Sequence, residues 1–79
     1  MIIECELAMD TIVRTIEEFG VVVRDTRKAG GLRQVEASHL IGVSPPVLNK
    51  LEQGKEVWLS KAIEICNALG IELVLRTSE

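Results

Sequence analysis

The chain has 79 residues, of which 47% are apolar and 3% aromatic, and it carries a net charge of −3. This length suffices for one domain, residues 1–79, with a small aliphatic core, but not for a substantial substrate pocket as well. Because the sequence also has no typical pairing of a nucleophile with a base, we do not expect an enzyme. No apolar run approaches a membrane span, and the first ten residues lack the features of a signal peptide, which predicts a cytoplasmic protein.

The cysteines and the single histidine do not indicate a metal site. Cys5, His39 and Cys66 match none of the ligand spacings typical of zinc, so we expect neither a metal nor another cofactor. A disulfide is not expected in a reducing cytoplasm. Cys66 lies in a helical apolar pattern and is predicted to be a small core residue, whereas His39 is predicted to lie on the surface.

Charge is distributed unevenly along the chain. Residues 1–20 contain one basic and five acidic side chains, and residues 56–79 contain two basic and four acidic ones. Residues 24–55, by contrast, contain six basic and three acidic side chains, so the middle of the chain is positive. A positive segment of this kind is consistent with a nucleic-acid contact and equally with an ordinary solvated surface.

The first predicted helix lies between Asp10, which can cap its start, and Gly30 and Gly31, which can end it. Residues 21–23 are three valines with strand propensity, but the longer apolar periodicity favours a helix. The basic residues near its end suit the negative pole of the helix dipole. The apolar positions at helical spacing are Ile12, Ile16, Phe19 and Val23.

Residues 33–54 contain two short helical patterns separated by Gly42. Ser44 can cap the second pattern, and Pro45 and Pro46 fit its first turn, where backbone N–H groups have no helical partner. Two helices joined by a tight turn are typical of a helix-turn-helix, whose second helix enters the major groove of DNA. A helical hairpin without DNA-binding function has the same spacing. The inner face of the second helix consists of Leu48 and Leu51.

The last predicted helix ends at Gly70, with Trp58 or Ser60 at its cap position. The tail alternates apolar and polar residues, which predicts a β-strand over residues 71–76. The expected fold class is therefore mainly α, a compact helix-turn-helix bundle of about four helices over residues 10–70 with a short C-terminal β-strand. The predicted inner face of the last helix comprises Leu59, Ala62, Ile63, Cys66 and Leu69.

The segment RDTRKAGGLRQVEASHLIGVSPPVLNKLEQGK resembles the helix-turn-helix of the Xre/Cro phage-repressor family, which has a lambda-repressor-like fold. The resemblance covers about residues 19–70 and implies a DNA-binding protein. Arg33 departs from the threonine usual in the family, and Ala37 and Ser38 from the usual Leu-Ala. The matching positions are Gly31, Leu32, Gln34, Glu36, Gly42, Val43, Ser44, Leu48, Glu52, Gly54 and Lys55.

A narrower resemblance links the opening FGVVVRDTRKAGGLRQ and the ending ALGIELVL to HipB-like antitoxins. It implies a transcriptional regulator that binds operator DNA as a dimer and neutralises a HipA-like serine/threonine kinase toxin. A stand-alone Xre-family repressor is the main alternative. A protein-interaction module that has lost useful DNA affinity is another, which the negative total charge and the two prolines favour.

The family resemblance also implies which residues contact DNA. Gln34 is expected to contact a phosphate, and Arg33 beside it either adds a second contact or is simply solvated. Lys50 is expected to contact a base or a phosphate, Lys55 a phosphate, and Asn49 a base edge unless the helix turns it away. Prolines at positions that often read bases leave only apolar contacts there, for example to a thymine methyl group. The predicted DNA-binding residues are Arg33, Gln34, Ser44, Pro45, Pro46, Asn49, Lys50 and Lys55.

Three further roles are predicted. Arg27 and Glu52 match family positions that form a structural ion pair between the first helix and the end of the recognition helix. Trp58 is either a packed, half-buried residue or part of a partner-contact surface. The tail strand is expected to pair with its copy in a homodimer, which places Glu72 of one chain opposite Arg76 of the other. The strand consists of Ile71, Glu72, Leu73, Val74, Leu75 and Arg76.

Overall fold

The computed structural model describes residues 10–77 and contains four α-helices in this range. They are α1 (Ile16–Ala29), α2 (Gln34–Ile41), α3 (Pro45–Glu52) and α4 (Leu59–Leu69). The longest of them, α1, has 14 residues, and no helix in the described range is long and apolar enough to cross a membrane. The expected helical bundle with a helix-turn-helix is therefore confirmed. Cys5 lies outside the described residues.

Helix α1 begins later than the sequence pattern predicts. The hydroxyl of Thr15 accepts a hydrogen bond from the backbone N–H of Glu18, and the Glu18 carboxylate accepts one from the backbone N–H of Thr15. This reciprocal capping box satisfies two N–H groups that would otherwise lack partners. Asp10 is therefore not the cap, and Ile12 is exposed outside the helix rather than part of its apolar face.

The core lies where the four helices meet, and it is aliphatic, as expected. In α4 the inward positions repeat at helical spacing through Ala62, Ile65 and Cys66. Leu59 and Ile63, which were predicted to point inward, are exposed, and Ile65, which was not assigned to the inner face, is fully buried. The buried apolar residues are Val23, Ala37, Leu48, Leu51, Ala62, Ile65 and Cys66.

Helix α1 approaches the end of α3 closely at Gly20, which is buried. A Cβ atom at this position would lie 2.8 Å from the carbonyl oxygen of Glu52 and closer still to that of Leu51. Both obstacles are backbone atoms, so a side chain could be accommodated only if one helix moved. Glycine is thus required here by the close approach of two helices, although glycine lowers helix propensity.

The tail after α4 does not form the predicted strand. Residues 71–77 have no regular secondary structure, and within this range the last backbone hydrogen bond is that from the N–H of Ile71 to the Cys66 carbonyl. A strand is defined by hydrogen bonds to a neighbouring strand, and the described part of this single chain offers none. The alternating pattern therefore did not suffice to predict a strand within one chain.

We predict that Gly20→Ala destabilises the fold by about 1–3 kcal/mol, the usual cost of overpacking a close contact. The matched control is Gly30→Ala, because a Cβ at Gly30 meets only atoms at ordinary van der Waals distance, the nearest 3.5 Å away. Each kcal/mol corresponds to roughly 4–8 °C in the melting temperature of a domain of this size. Thermal melts that show equal stability for the two variants would contradict the packing account.

Candidate nucleic-acid interface

The turn between α2 and α3 has the geometry of a helix-turn-helix. Gly42 ends α2 with φ of +91°, a left-handed conformation that glycine adopts without strain. The N–H groups of Gly42 and Val43 both donate to the carbonyl of Ser38, at 2.9 and 3.1 Å, which closes the turn. Two fully buried residues, Ala37 of α2 and Leu48 of α3, belong to the core that holds the two helices together.

At the start of α2, Glu36 organises the cap residue Arg33. The carboxylate of Glu36 accepts the backbone N–H of Arg33 at 3.0 Å and its guanidinium at 3.2 Å. These bonds, the backbone one foremost, hold the pKa of Glu36 below its ordinary value. Arginine has no acceptor atom and cannot return a capping bond as threonine would. The Arg33 side chain is 82% exposed, so its guanidinium also faces solvent.

The start of α3 has no side-chain cap, contrary to the predicted role of Ser44. Ser44 occupies the cap position, but its hydroxyl makes no capping hydrogen bond. The reason lies in the next two residues, because Pro45 and Pro46 have no N–H to donate. The third N–H, that of Val47, donates to the backbone carbonyl of Ser44 at 3.0 Å. The Ser44 hydroxyl is therefore left without a capping function and lies exposed.

Arg27 and Glu52 form a buried, two-pronged ion pair. Arg27 Nε donates to Glu52 Oε2 at 2.6 Å, and Nη2 donates to Oε1 at 2.9 Å. Arg27 Nη1 donates to the backbone carbonyl of Leu32 at 2.8 Å, so one guanidinium joins α1, α3 and the loop before α2. The hydrogen bonds to Glu52 raise the pKa of Arg27 above its ordinary value, against the effect of burial.

The Glu52 carboxylate also belongs to a polar network at the junction of α2 and α3. Gln34 Nε2 donates to Glu52 Oε1 at 2.9 Å and to Asn49 Oδ1 at 3.2 Å. Asn49 Oδ1 also accepts Gln53 Nε2 at 3.4 Å. Sequence reasoning assigned Gln34 and Asn49 independent contacts with DNA, whereas the structure joins them through hydrogen bonds. Spacing along the chain could not reveal this link between residues 15 positions apart.

The remaining candidate residues lie on the surface. Lys50 and Lys55 are exposed and have no ion-pair partner within residues 10–77, and Pro45 and Pro46 are exposed at the start of α3. His39 is exposed, as the sequence predicts.

Trp58 occupies the cap position of α4 and is 82% exposed. The interpretation of Trp58 as a packed, half-buried residue is therefore wrong for the single chain. Trp58, at the junction of loop and helix, belongs neither to the buried core nor to the partly buried residues packed against it, among which Phe19 is the aromatic one.

A family model described as helix-turn-helix matches residues 23–75, which is more than half of the chain. No curated protein matches the sequence. Among solved structures, the restriction-modification controller protein C.AhdI from Aeromonas hydrophila is 31% identical, with a TM-score of 0.65, over 72% of this chain and 88% of that chain.

Two further structures share the fold at lower identity. A chain of the complex of HipB with an O2 20-mer has a TM-score of 0.79 over 90% of this chain and 100% of its own, at 15% identity. A chain of the HipA-HipB-O2-O3 complex has a TM-score of 0.77 over 89% and 100%, also at 15% identity. These two likenesses concern the fold alone.

We predict that Arg27→Ala and Glu52→Ala each destabilise the protein by about 3–5 kcal/mol, because each leaves a buried charge without its partner. Lys61→Ala is the control, since the Lys61–Glu64 pair is about half exposed and such pairs are worth about 0–1 kcal/mol. Urea or thermal unfolding measures the difference. Melting curves for the two buried variants that coincide with that of Lys61→Ala would show that the pair is unimportant.

Proposed function

The chain belongs to the Xre-type helix-turn-helix family of DNA-binding regulators, which are not enzymes, and we propose that it binds operator DNA as a homodimer and acts as the antitoxin of a HipA-type toxin-antitoxin operon. The observation that carries DNA binding is the helix-turn-helix itself, with α3 held against α1 by the Arg27–Glu52 pair. In this proposal the protein acts in the cytoplasm.

The balance of paired and unpaired charges supports DNA binding by the helix-turn-helix. In residues 24–55, three of the six cations are bound to acidic neighbours: Arg24 to Asp25, Arg27 to Glu52 and Arg33 to Glu36. The cations without a partner in the described chain are Lys28, Lys50 and Lys55. The local excess of positive charge is thus carried by lysines free to contact phosphates, while the acidic residues are concentrated elsewhere.

The proposed contacts divide into two kinds. Lys50, Lys55 and Arg33 supply charged contacts to phosphates or base edges, and the free Ser44 hydroxyl supplies a neutral one. The prolines at the start of α3 offer only carbon surface, which suits a thymine methyl group. We therefore expect the first turn of α3 to contribute modestly to sequence recognition, and the second turn to contribute more.

The antitoxin role is supported by likeness of fold to HipB, including a chain of a complex that also contains HipA. Exposed Trp58 and Leu59 at the start of α4 offer apolar surface for a protein partner. Co-expression with a HipA-like kinase encoded beside this gene tests the role: a stable complex and relief of toxicity support it. If no complex forms while DNA binding is intact, the result favours the stand-alone regulator.

The stand-alone Xre-family repressor is the second candidate, and a specific observation favours it. The identity with the restriction-modification controller protein is 31%, twice that with HipB. An interaction module without useful DNA affinity is the third candidate. Steep loss of duplex affinity with rising salt separates the first two from the third, because phosphate contacts release counterions.

Dimerisation is proposed through the tail. Leu73, Val74 and Leu75 are exposed, Leu75 to 98%, in a segment without secondary structure of its own. Antiparallel pairing with the tail of a second copy supplies backbone partners and has the twofold symmetry of a closed dimer. It also allows two recognition helices to lie about one DNA turn apart, roughly 34 Å, as palindromic half-sites require.

We predict that Lys50→Ala and Arg33→Ala weaken duplex binding without unfolding the protein. A lost phosphate contact lowers the salt slope by about one unit, and a lost base contact relaxes specificity. Lys61→Ala removes the same charge outside the helix-turn-helix and is the control. Fluorescence anisotropy at several salt concentrations, on duplexes selected by the parent from a random library, measures the effect. Binding equal to that of Lys61→Ala would remove both residues from the interface.

We predict that truncation after Gly70 converts a dimer into a monomer and weakens operator binding, while the helical content per residue persists. Light scattering on the intact and truncated chains gives the masses, and circular dichroism checks the fold. Leu73→Glu in the intact chain is a milder test, because it places a charge opposite Leu75 on the apolar face of the proposed pair. A monomeric intact chain, or a dimer that survives truncation, would rule out the tail as the dimer interface.

A further inference from the structure

In the polar network around Glu52, the side chain that donates and the side chain that accepts each hydrogen bond are fixed. A carboxylate only accepts hydrogen bonds, and that of Glu52 already accepts two from Arg27. A glutamine amide can turn either its NH2 group or its oxygen toward a neighbour. Facing Glu52, Gln34 must present its NH2 group, because its oxygen would meet another acceptor. The observed bond from Gln34 Nε2 to Glu52 Oε1, at 2.9 Å, has this orientation.

The orientation of Gln34 determines that of Asn49. The second hydrogen of Gln34 Nε2 is donated to Asn49 Oδ1 at 3.2 Å, so Asn49 must turn its oxygen inward. Gln53 donates to the same oxygen, which reinforces this orientation. Asn49 Nδ2 makes no hydrogen bond within the described chain, and no buried side-chain nitrogen or oxygen there lacks a partner. The NH2 group of Asn49 therefore lies at the surface.

We propose that Glu52, acting through Gln34, holds Asn49 with its two N–H donors directed outward, and that Asn49 donates to an acceptor on DNA. This inference rests on the proposed DNA binding. Asn49 is the contacting residue, and Gln34 and Glu52 are positioning residues. The partner is an acceptor, either a phosphate oxygen or a base atom such as purine N7, and not the amino group of cytosine.

The proposal changes the role expected of Gln34. Both of its side-chain hydrogens are used inside the protein, so only its acceptor oxygen is left to face outward. An acceptor cannot bind a phosphate oxygen, so any phosphate contact made by Gln34 comes from its backbone N–H at the start of α2. The side-chain donor at this junction is supplied by Asn49 instead.

Side-chain amide exchange measured by NMR tests the orientation of the Gln34 and Asn49 amides in the free protein. We expect the NH2 protons of Gln34 to be protected from exchange with water and those of Asn49 to exchange freely. In Glu52→Gln the new amide can donate to the side-chain oxygen of Gln34. This reverses the direction of the hydrogen bonds in the network and protects the NH2 protons of Asn49 from exchange. Gln34→Met serves if Glu52→Gln fails to fold, because it removes the link without touching the ion pair. Protected Asn49 protons in the parent overturn the proposal.

Binding to duplexes selected by the parent tests the contact. We expect Asn49→Ala to weaken binding about tenfold, the scale of a hydrogen bond to a charged group, and Gln34→Met to weaken it by a smaller factor through Asn49 alone. Asn67→Ala, an exposed asparagine on α4, is the matched control. Uniform loss across sequences identifies a phosphate as the acceptor, and relaxed specificity at one base pair identifies a base.

The two proposals can fail separately. Asn49→Ala binding as tightly as Asn67→Ala overturns the Asn49 contact while DNA binding stands. If the parent selects no duplex, DNA binding fails and the Asn49 contact fails with it. The exchange measurement still decides whether Glu52 fixes the amide orientation.

Discussion

The buried pair of Arg27 and Glu52 is the constraint on which the arrangement of the helices depends. Two charges removed from water stabilise the fold only when their geometry is good and their remaining hydrogen-bonding atoms are satisfied. Both conditions are met, since Arg27 also bonds the carbonyl of Leu32 and Glu52 also accepts from Gln34. The pair therefore fixes three things together: the position of α3 against α1, the loop that precedes α2, and the amide at the start of α2.

The close contact at Gly20 complements this pair. The backbone of α1 lies against the carbonyl oxygens at the end of α3, about two turns before Arg27 reaches the same region. A larger residue at this position would separate the helices and stretch the bonds to Glu52. Backbone proximity and charge pairing thus act on one junction, and the recognition helix takes its position from both.

Much of this fold could be predicted from the sequence, and the failures have physical causes. The glycines, apolar spacing and family pattern located α2, the turn at Gly42 and α3, because local preferences and tertiary structure agree there. The start of α1 was misplaced because the Thr15–Glu18 capping box competes successfully with Asp10. Ser44 was assigned a capping bond, but two consecutive prolines remove the first two N–H groups and the third donates to the Ser44 backbone carbonyl instead.

Longer-range features were beyond the sequence pattern. The link between Gln34 and Asn49 depends on how two helices cross, which spacing along one helix does not encode. The tail illustrates the same limit, because alternation indicates an extended segment while a sheet requires a partner strand. Gly20 did carry a sign of its role, since a glycine inside an otherwise helical apolar pattern often marks close packing.

The two prolines at the start of α3 also affect how this helix forms. An isolated helix of eight residues is far shorter than the roughly 12–15 residues needed for marginal stability in water, because the first turn must order several residues before any hydrogen bond compensates. Proline fixes φ near the helical value even in the unfolded chain, so two residues of that first turn lose little freedom on folding. The prolines that remove hydrogen-bond donors from the start of α3 thereby lower the entropic barrier to nucleating this helix.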